Sequence, residues 1–332
     1  MFEPAQPGRS CPTHYRYAPS VLAREPDLHA QTLYVVGGLY GNRYALECVL
    51  DMARNESGSA TVVFNGDFNW FNVDADSFAD INRAVLEHVA LRGNVETEIA
   101  RDDVDAGCGC AYPDTVGTAE VELSNQIILR LRETAIALPA IRSQLECLPM
   151  HRVAEVAGVR IAIVHGDAES LAGWGYSCDA LGAPDGVPRL TAHFAAAGAR
   201  VIASSHTCLP VALTVGRDEG RCALFNNGAA GMPNFTGSHY GVFTRISELP
   251  AARALYGTRV GAAYVDAVAI HYDHARWVEA FLSNWPAASP AHVSYFKRIS
   301  EGPQYESSSA LRGAVMRYRS NTAVSSVSGA SS

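Results

Sequence analysis

The sequence predicts an α/β fold in which a sheet is covered by helices. Three observations predict it. Short β-branched apolar runs alternate with amphipathic stretches through the first third of the chain. The same alternation returns after residue 158. Polar residues in glycine- or serine-flanked turns directly follow several of the apolar runs. With 332 residues, 48% hydrophobic and 18% charged, the chain can bury a large core.

Thr32–Val36 reads as a buried strand ending at Gly37-Gly38. Asn42 to Arg54 spaces Ala45, Leu46, Val49, Leu50 and Ala53 on one helical face. Ala60–Phe64 is a second strand, ending at Asn65-Gly66-Asp67. Asp76 to His88 is helical through Phe78, Ile81, Val85 and Leu86. His88 to Arg92 is a third strand, closed by Gly93-Asn94. The rhythm then breaks. Residues 98–158 read as an inserted helical segment, with one long pattern from Glu120 to Leu148 interrupted at Pro139. Beyond it come a strand at Val159–Val164, a helix at Leu190–Ala197 and a strand at Arg200–Ala203. Strands follow at Val211–Val215, Cys222–Phe225, Gly241–Ser247 and Val260–His271, then a helix at His274–Leu282. Residues 1–29 form an N-terminal extension, 30–250 a core and 251–319 a C-terminal extension. Residues 320–332, rich in Ser, Ala, Val and Gly, read as disordered.

Asp67, Asn94, His165 and His206 each follow a strand. Strand ends line the ligand crevice of open α/β sheets, so side chains there converge on one point. A mixed O,O,N,N donor set suits a first-row divalent ion such as Mn, Fe or Zn. Each residue alone is more often a cap, a turn former or a hydrogen-bonded histidine. The ordered set, each member in a turn of small residues, is the stronger signal.

In this order the turns resemble the motifs of calcineurin-like metallophosphoesterases. That family carries Asp-x-His, Gly-Asp, Gly-Asn, a single His and Gly-His-x-His. Here stand Gly37-Gly38-Leu39-Tyr40-Gly41-Asn42, Gly66-Asp67, Gly93-Asn94-Val95-Glu96, His165-Gly166 and Ser205-His206-Thr207-Cys208. Asn226-Asn227-Gly228-Ala229 is similar to the family's Asn-Pro-Gly-Ser turn and makes Asn227 and Gly228 phosphate-turn candidates. The resemblance covers about residues 30–248. It implies two packed mixed β-sheets flanked by helices, a divalent metal and hydrolysis of phosphoesters.

The departures fall on one side. The resemblance assigns the second metal to Asp67, Asn94, His165 and His206, and all are present. The positions exclusive to the first metal hold Gly38, Tyr40 and Cys208. One ion is therefore expected, with two still open. Tyr40 and Cys208 could join Asp67 in a softer first site for iron or zinc, or could fill the space of a lost ion. Val95 stands where many members carry a proton-donating histidine. Glu96 reads either as an orienting partner behind the ligands or as a helix cap. Cys108-Gly109-Cys110 reads as a soft-metal or redox pair or as a loop with free thiols, and the other cysteines as free thiols.

The expected activity is a metal-dependent phosphoester hydrolase acting on a small phosphorylated substrate. The alternative is a weak or inactive phosphatase-like module that binds one metal and a phosphorylated ligand. A net charge of −8 argues against nucleic acid and anionic membranes. No apolar run is long enough to span a bilayer, and residues 1–20 lack a signal-peptide centre, so a cytoplasmic location is expected. Gly-x-Ser-x-Gly, P-loop and Gly-x-Gly-x-x-Gly signatures are absent.

Overall fold

A computed structural model describes residues 6–317. In chain order the strands are β1 (Leu28–His29), β2 (Thr32–Val36), β3 (Ala60–Asn65), β4 (Val89–Leu91), β5 (His151–Val156), β6 (Val159–Val164) and β7 (Val201–Ser204). They continue with β8 (Val211–Val215), β9 (Cys222–Asn226), β10 (Gly241–Ser247), β11 (Ala254–Val260), β12 (Ala263–Ile270), β13 (Leu311–Arg312) and β14 (Met316–Arg317). The α-helices are α1 (Arg43–Arg54), α2 (Ala75–Leu86), α3 (Asn94–Ala100), α4 (Thr118–Ile136) and α5 (Pro139–Glu146). After these come α6 (Cys178–Gly182), α7 (Gly186–Ala197), α8 (His274–Asn284) and α9 (Pro290–Glu301).

The strands form two mixed seven-stranded sheets. The first runs β14-β11-β12-β10-β2-β3-β4 and the second β1-β5-β6-β7-β9-β8-β13. Side-chain alternation along β2 explains why they pack as they do. Leu33 and Val35 point into a core shared with Ile161, Ile163, Val201 and Ala203 of the second sheet. Tyr34 and Val36 point the other way, against Val49 of α1 and Phe78 of α2. On the far face of the second sheet, Val164 and Ile202 pack against Leu190 and Phe194 of α7. Every residue of β2 is buried because both faces are covered. The chain is thus an α/β fold of two packed mixed sheets flanked by helices.

Local chemistry sets the helix starts. Asn42 caps α1, its Oδ1 accepting from the amides of Tyr44 and Ala45, and Asp74 caps α2 through the amide of Ser77. Pro139 ends the long pattern and also opens α5 as its first residue.

Several elements differ from the sequence expectations. Asn94 begins a helix, α3, where only a turn was expected. His151–Val156 is a strand within the stretch read as helical; it pairs antiparallel with β6 across Ala157 (φ 53°) and Gly158 (φ 71°). The single strand expected at Val260–His271 is instead the second arm of a hairpin, turned at Gly261 with φ 57°. Helix α9 has no counterpart in the sequence reading. The expected disordered tail lies outside the described residues. Among the described residues, no helix is long and apolar enough to cross a membrane.

Candidate metal centre

Asp67 and Asn94 follow β3 and β4 of the first sheet, whereas His165 and His206 follow β6 and β7 of the second. The four positions therefore face one another across the seam between the sheets. Asn65 fastens that seam, its Nδ2 donating to the Val164 carbonyl at 2.7 Å. One ligand atom each from Asp67, His165 and His206 lies within 4.8 Å of the others, and all three residues are buried. Asn94, Asp67 and His206 line one cavity.

Hydrogen bonds fix which atoms face inward. His165 Nδ1 lies 2.8 Å from the Asn65 carbonyl, which can only accept, so Nδ1 carries a proton and in the neutral ring Nε2 is bare. By the same argument His206 Nε2 donates to the Cys110 carbonyl at 3.1 Å and leaves Nδ1 bare. The two bare nitrogens are 3.2 Å apart, and an Asp67 oxygen is 3.3 Å from the His165 one. Asn94 Nδ2 donates to the Cys108 carbonyl, and its Oδ1 is buried with no partner. These inward-facing lone pairs need a proton or a cation among them. The donors fit a divalent ion.

The electrostatics agree. Burial opposes the charged forms of Asp67 and His165, but their mutual attraction overrides it, lowering the Asp67 carboxyl and raising the imidazole. His206 is pushed down to about 4 by burial and by His165, so it stays neutral and able to ligate near pH 7. Glu96 is raised to about 7 by burial and by the Asp67 carboxylate. Its oxygens accept from the amides of Asp67, Phe68 and Gly93, at 2.7, 3.0 and 3.0 Å. It therefore clamps the Asp67 turn and caps α3 together.

Backbone strain collects at the same place. Tyr40, Asp67, His206 and Cys208 all have φ between 27° and 62°, a region disfavoured for residues other than glycine. Glycines do the close packing: a Cβ on Gly66 would come 2.7 Å from His165 Nδ1, and one on Gly93 would collide with Asp67 Oδ1.

The altered positions form a neutral plug. A Cβ on Gly38 would meet the Tyr40 ring at 2.8 Å, so the tyrosine occupies the space that a side chain at 38 would need. Tyr40 Oη is 3.0 Å from Cys208 Sγ, and the thiol in turn donates to the His206 carbonyl at 3.2 Å. Burial raises the pKa of both groups, which keeps them protonated. Asn227 and Gly228 do not line the cavity. The Asn227 amide donates to the carbonyls of Gly37 and Val242, tying the end of β2 to β10.

Two further contributions escaped the sequence reading. Cys108 and Cys110 are joined as a disulfide, which agrees with the redox-pair alternative for this loop, but nothing in the sequence announced that their carbonyls hold Asn94 and His206. Arg298 of α9 donates to the Cys208 carbonyl at 2.5 Å and brings a cation behind the plug. The pairing of ligand carbonyls with a Cys-x-Cys loop has no sequence signature. Arg298 could have been sought once α9 was recognised.

No family model and no curated protein matches this sequence. Among solved structures, a metallophosphoesterase from Sphaerobacter thermophilus superposes with a TM-score of 0.53 at 15% identity, over 82% of this chain and all of that one. A hypothetical protein from Pyrococcus horikoshii superposes with a TM-score of 0.54 at 15% identity, over 82% of this chain and 99% of that one. The chain has the fold of a metallophosphoesterase.

Proposed function

We propose that this chain is a metal-dependent phosphoester hydrolase working with one divalent ion, of the Mn, Fe or Zn type, held by Asp67, Asn94, His165 and His206. The observation that carries this reading is the convergence of buried ligand atoms of Asp67, His165 and His206 within 4.8 Å of one another, beside an Asn94 Oδ1 with no partner. A divalent ion there would polarise a phosphoryl oxygen and lower the pKa of its water. With one carboxylate and three neutral donors, such a centre has a net formal charge of about +1 and attracts a small phosphorylated substrate. Glu96 holds the Asp67 turn rigid, and the Asn65 and Cys110 carbonyls set the tautomers of the two imidazoles. The aromatic rings of Trp70, Tyr112, Trp174 and Tyr295 wall the cavity and restrict water.

A second reading, a binding module with little turnover, is favoured by the Tyr40–Cys208 plug and by Val95, which cannot transfer a proton. Metal content per chain, measured by plasma mass spectrometry, tests the shared premise. About one ion is expected, lost in His165→Ala. No ion after reconstitution with Mn, Fe or Zn would overturn both readings. Turnover of a panel of phosphoesters by the loaded chain then separates them.

A further inference from the structure

The buried Cys108-Gly109-Cys110 loop does something that a stabilising crosslink does not. A bridge between residues two apart closes so short a loop that it removes little freedom from the unfolded chain. Its position is the informative feature. The Cys108 carbonyl accepts from Asn94 Nδ2 at 2.9 Å, and the Cys110 carbonyl accepts from His206 Nε2 at 3.1 Å. The Cys110 carbonyl also accepts from Trp174 Nε1 at 2.9 Å. Two of the proposed ligands, one from each sheet, thus take their orientation from carbonyls at either end of a single disulfide. Gly109, with φ 66°, sits so close to the Tyr15 hydroxyl that a Cβ would collide with it. Ring closure restricts the Cys108 carbonyl, whose carbon lies in the ring, and anchors the Cα of Cys110 from which the second carbonyl extends. Cys110 also lines the cavity, whereas Cys108 is fully buried.

We infer that Cys108 and Cys110 are positioning residues for the metal centre, and that their disulfide and dithiol states hold the ion with different affinity. This rests on the metal reading above. A dithiol reductant opens the bridge by exchange. Its first thiolate attacks Cys110 through the cavity and forms a mixed disulfide. Its second thiol closes on the first, leaving two protein thiols and one cyclic disulfide of the reductant. The open loop no longer restricts the Cys108 carbonyl or anchors the Cα that carries the Cys110 carbonyl, and the side chains of Asn94 and His206 lose their fixed aim. Loss of such outer partners weakens metal affinity by about 10- to 100-fold. Linkage is reciprocal, so the ion must stabilise the disulfide by the same factor.

The experiment titrates Mn²⁺ into the full chain, oxidised and after dithiothreitol, with thiols counted by alkylation mass in denaturant. Of eight cysteines, six are free in the oxidised form. The alkylated count should therefore rise from six to eight as Mn²⁺ affinity falls by about 10- to 100-fold. Saturating Mn²⁺ should make the pair harder to reduce by about 30–60 mV, the same factor for a two-electron couple. The Cys108→Ser/Cys110→Ser variant should bind like the reduced chain under both conditions. Equal affinity in the two states, a redox response that survives in the double variant, or a chain that always yields eight alkylated thiols would each overturn the inference alone. Failure of Mn²⁺ to bind either state would overturn the metal reading with it.

Discussion

At Gly93 the backbone lies at φ −95°, where alanine is comfortable, yet a methyl group there runs into the Asp67 carboxylate. Gly93→Ala therefore tests the ligand cradle, because the new methyl presses on both the carboxylate and the backbone amide of Asp67. It should lower metal affinity by about tenfold, the usual effect of disturbing a ligand's support, read by titration. Retention of full affinity would mean that Asp67 is not held where the ion needs it. The plug offers a complementary test. Gly38→Asp alone forces a side chain into the Tyr40 ring and should destabilise the fold by about 1–3 kcal/mol, read by denaturant midpoint. Gly38→Asp/Tyr40→His/Cys208→His removes the plug and supplies the ligands that the family resemblance implies. Metal content should rise from about one ion per chain to two; a count fixed at one would show that the scaffold itself no longer admits a second. The four proposed ligand positions stand out in the sequence because each follows a strand in a turn of small residues, and the structure brings Asp67, His165 and His206 together. The plug was legible only as a pair of alternatives, because the Tyr40–Cys208 hydrogen bond spans 168 residues.

At the scale of elements, the end of α1 is pinned to the first sheet by a nearly buried ion pair. Arg245 on β10 donates to both oxygens of Glu56, and Tyr34 on β2 donates to one of them. The guanidinium is the main cause that lowers the Glu56 carboxyl from about 4.5 to about 2, against the opposing effect of burial. A depressed carboxylate stabilises the fold fully above its unfolded pKa and loses that contribution as pH falls through the folded one. The pair should contribute about 2–3 kcal/mol above pH 5, vanishing toward pH 2. The stability gap between the native chain and Glu56→Gln, measured by urea unfolding, should shrink across that window. A gap independent of pH would mean that Glu56 acts by packing alone. The His151–Val156 strand shows one charged or polar residue for nearly every apolar one, and its turn, Ala157-Gly158, is not among the strongest hairpin pairs. Helix α3 was half-visible: Gly93-Asn94 reads as the turn that closes a strand, while a helix cap is one of the two readings of Glu96. Helix α9 did announce itself, with Ser289 before Pro290, a pairing that opens helices.

At the scale of the whole molecule, two packed mixed sheets were not derivable from the β-α rhythm. That rhythm says that strands are covered, not that a second sheet covers them; the second sheet came from the motif resemblance. The core between the sheets, with Leu33 and Ile163 fully buried, is built without the ion. The chain should therefore stay folded under a chelator, with only its melting temperature responding. A ligand present at a hundredfold its dissociation constant adds about 2.7 kcal/mol. Saturating metal should raise the melting temperature by a few degrees over the chelated chain, read by calorimetry, and this rise should vanish in Asn94→Ala. Outright unfolding by chelator would mean that the sheets depend on the ion for their association. The proposed ligands come in pairs, Asp67 and Asn94 from one sheet, His165 and His206 from the other. A paramagnetic ion at that seam would broaden the nuclear resonances of both layers from a single origin. It would act as a built-in ruler, reporting any breathing of one layer against the other as a change in relaxation seen on both sides together.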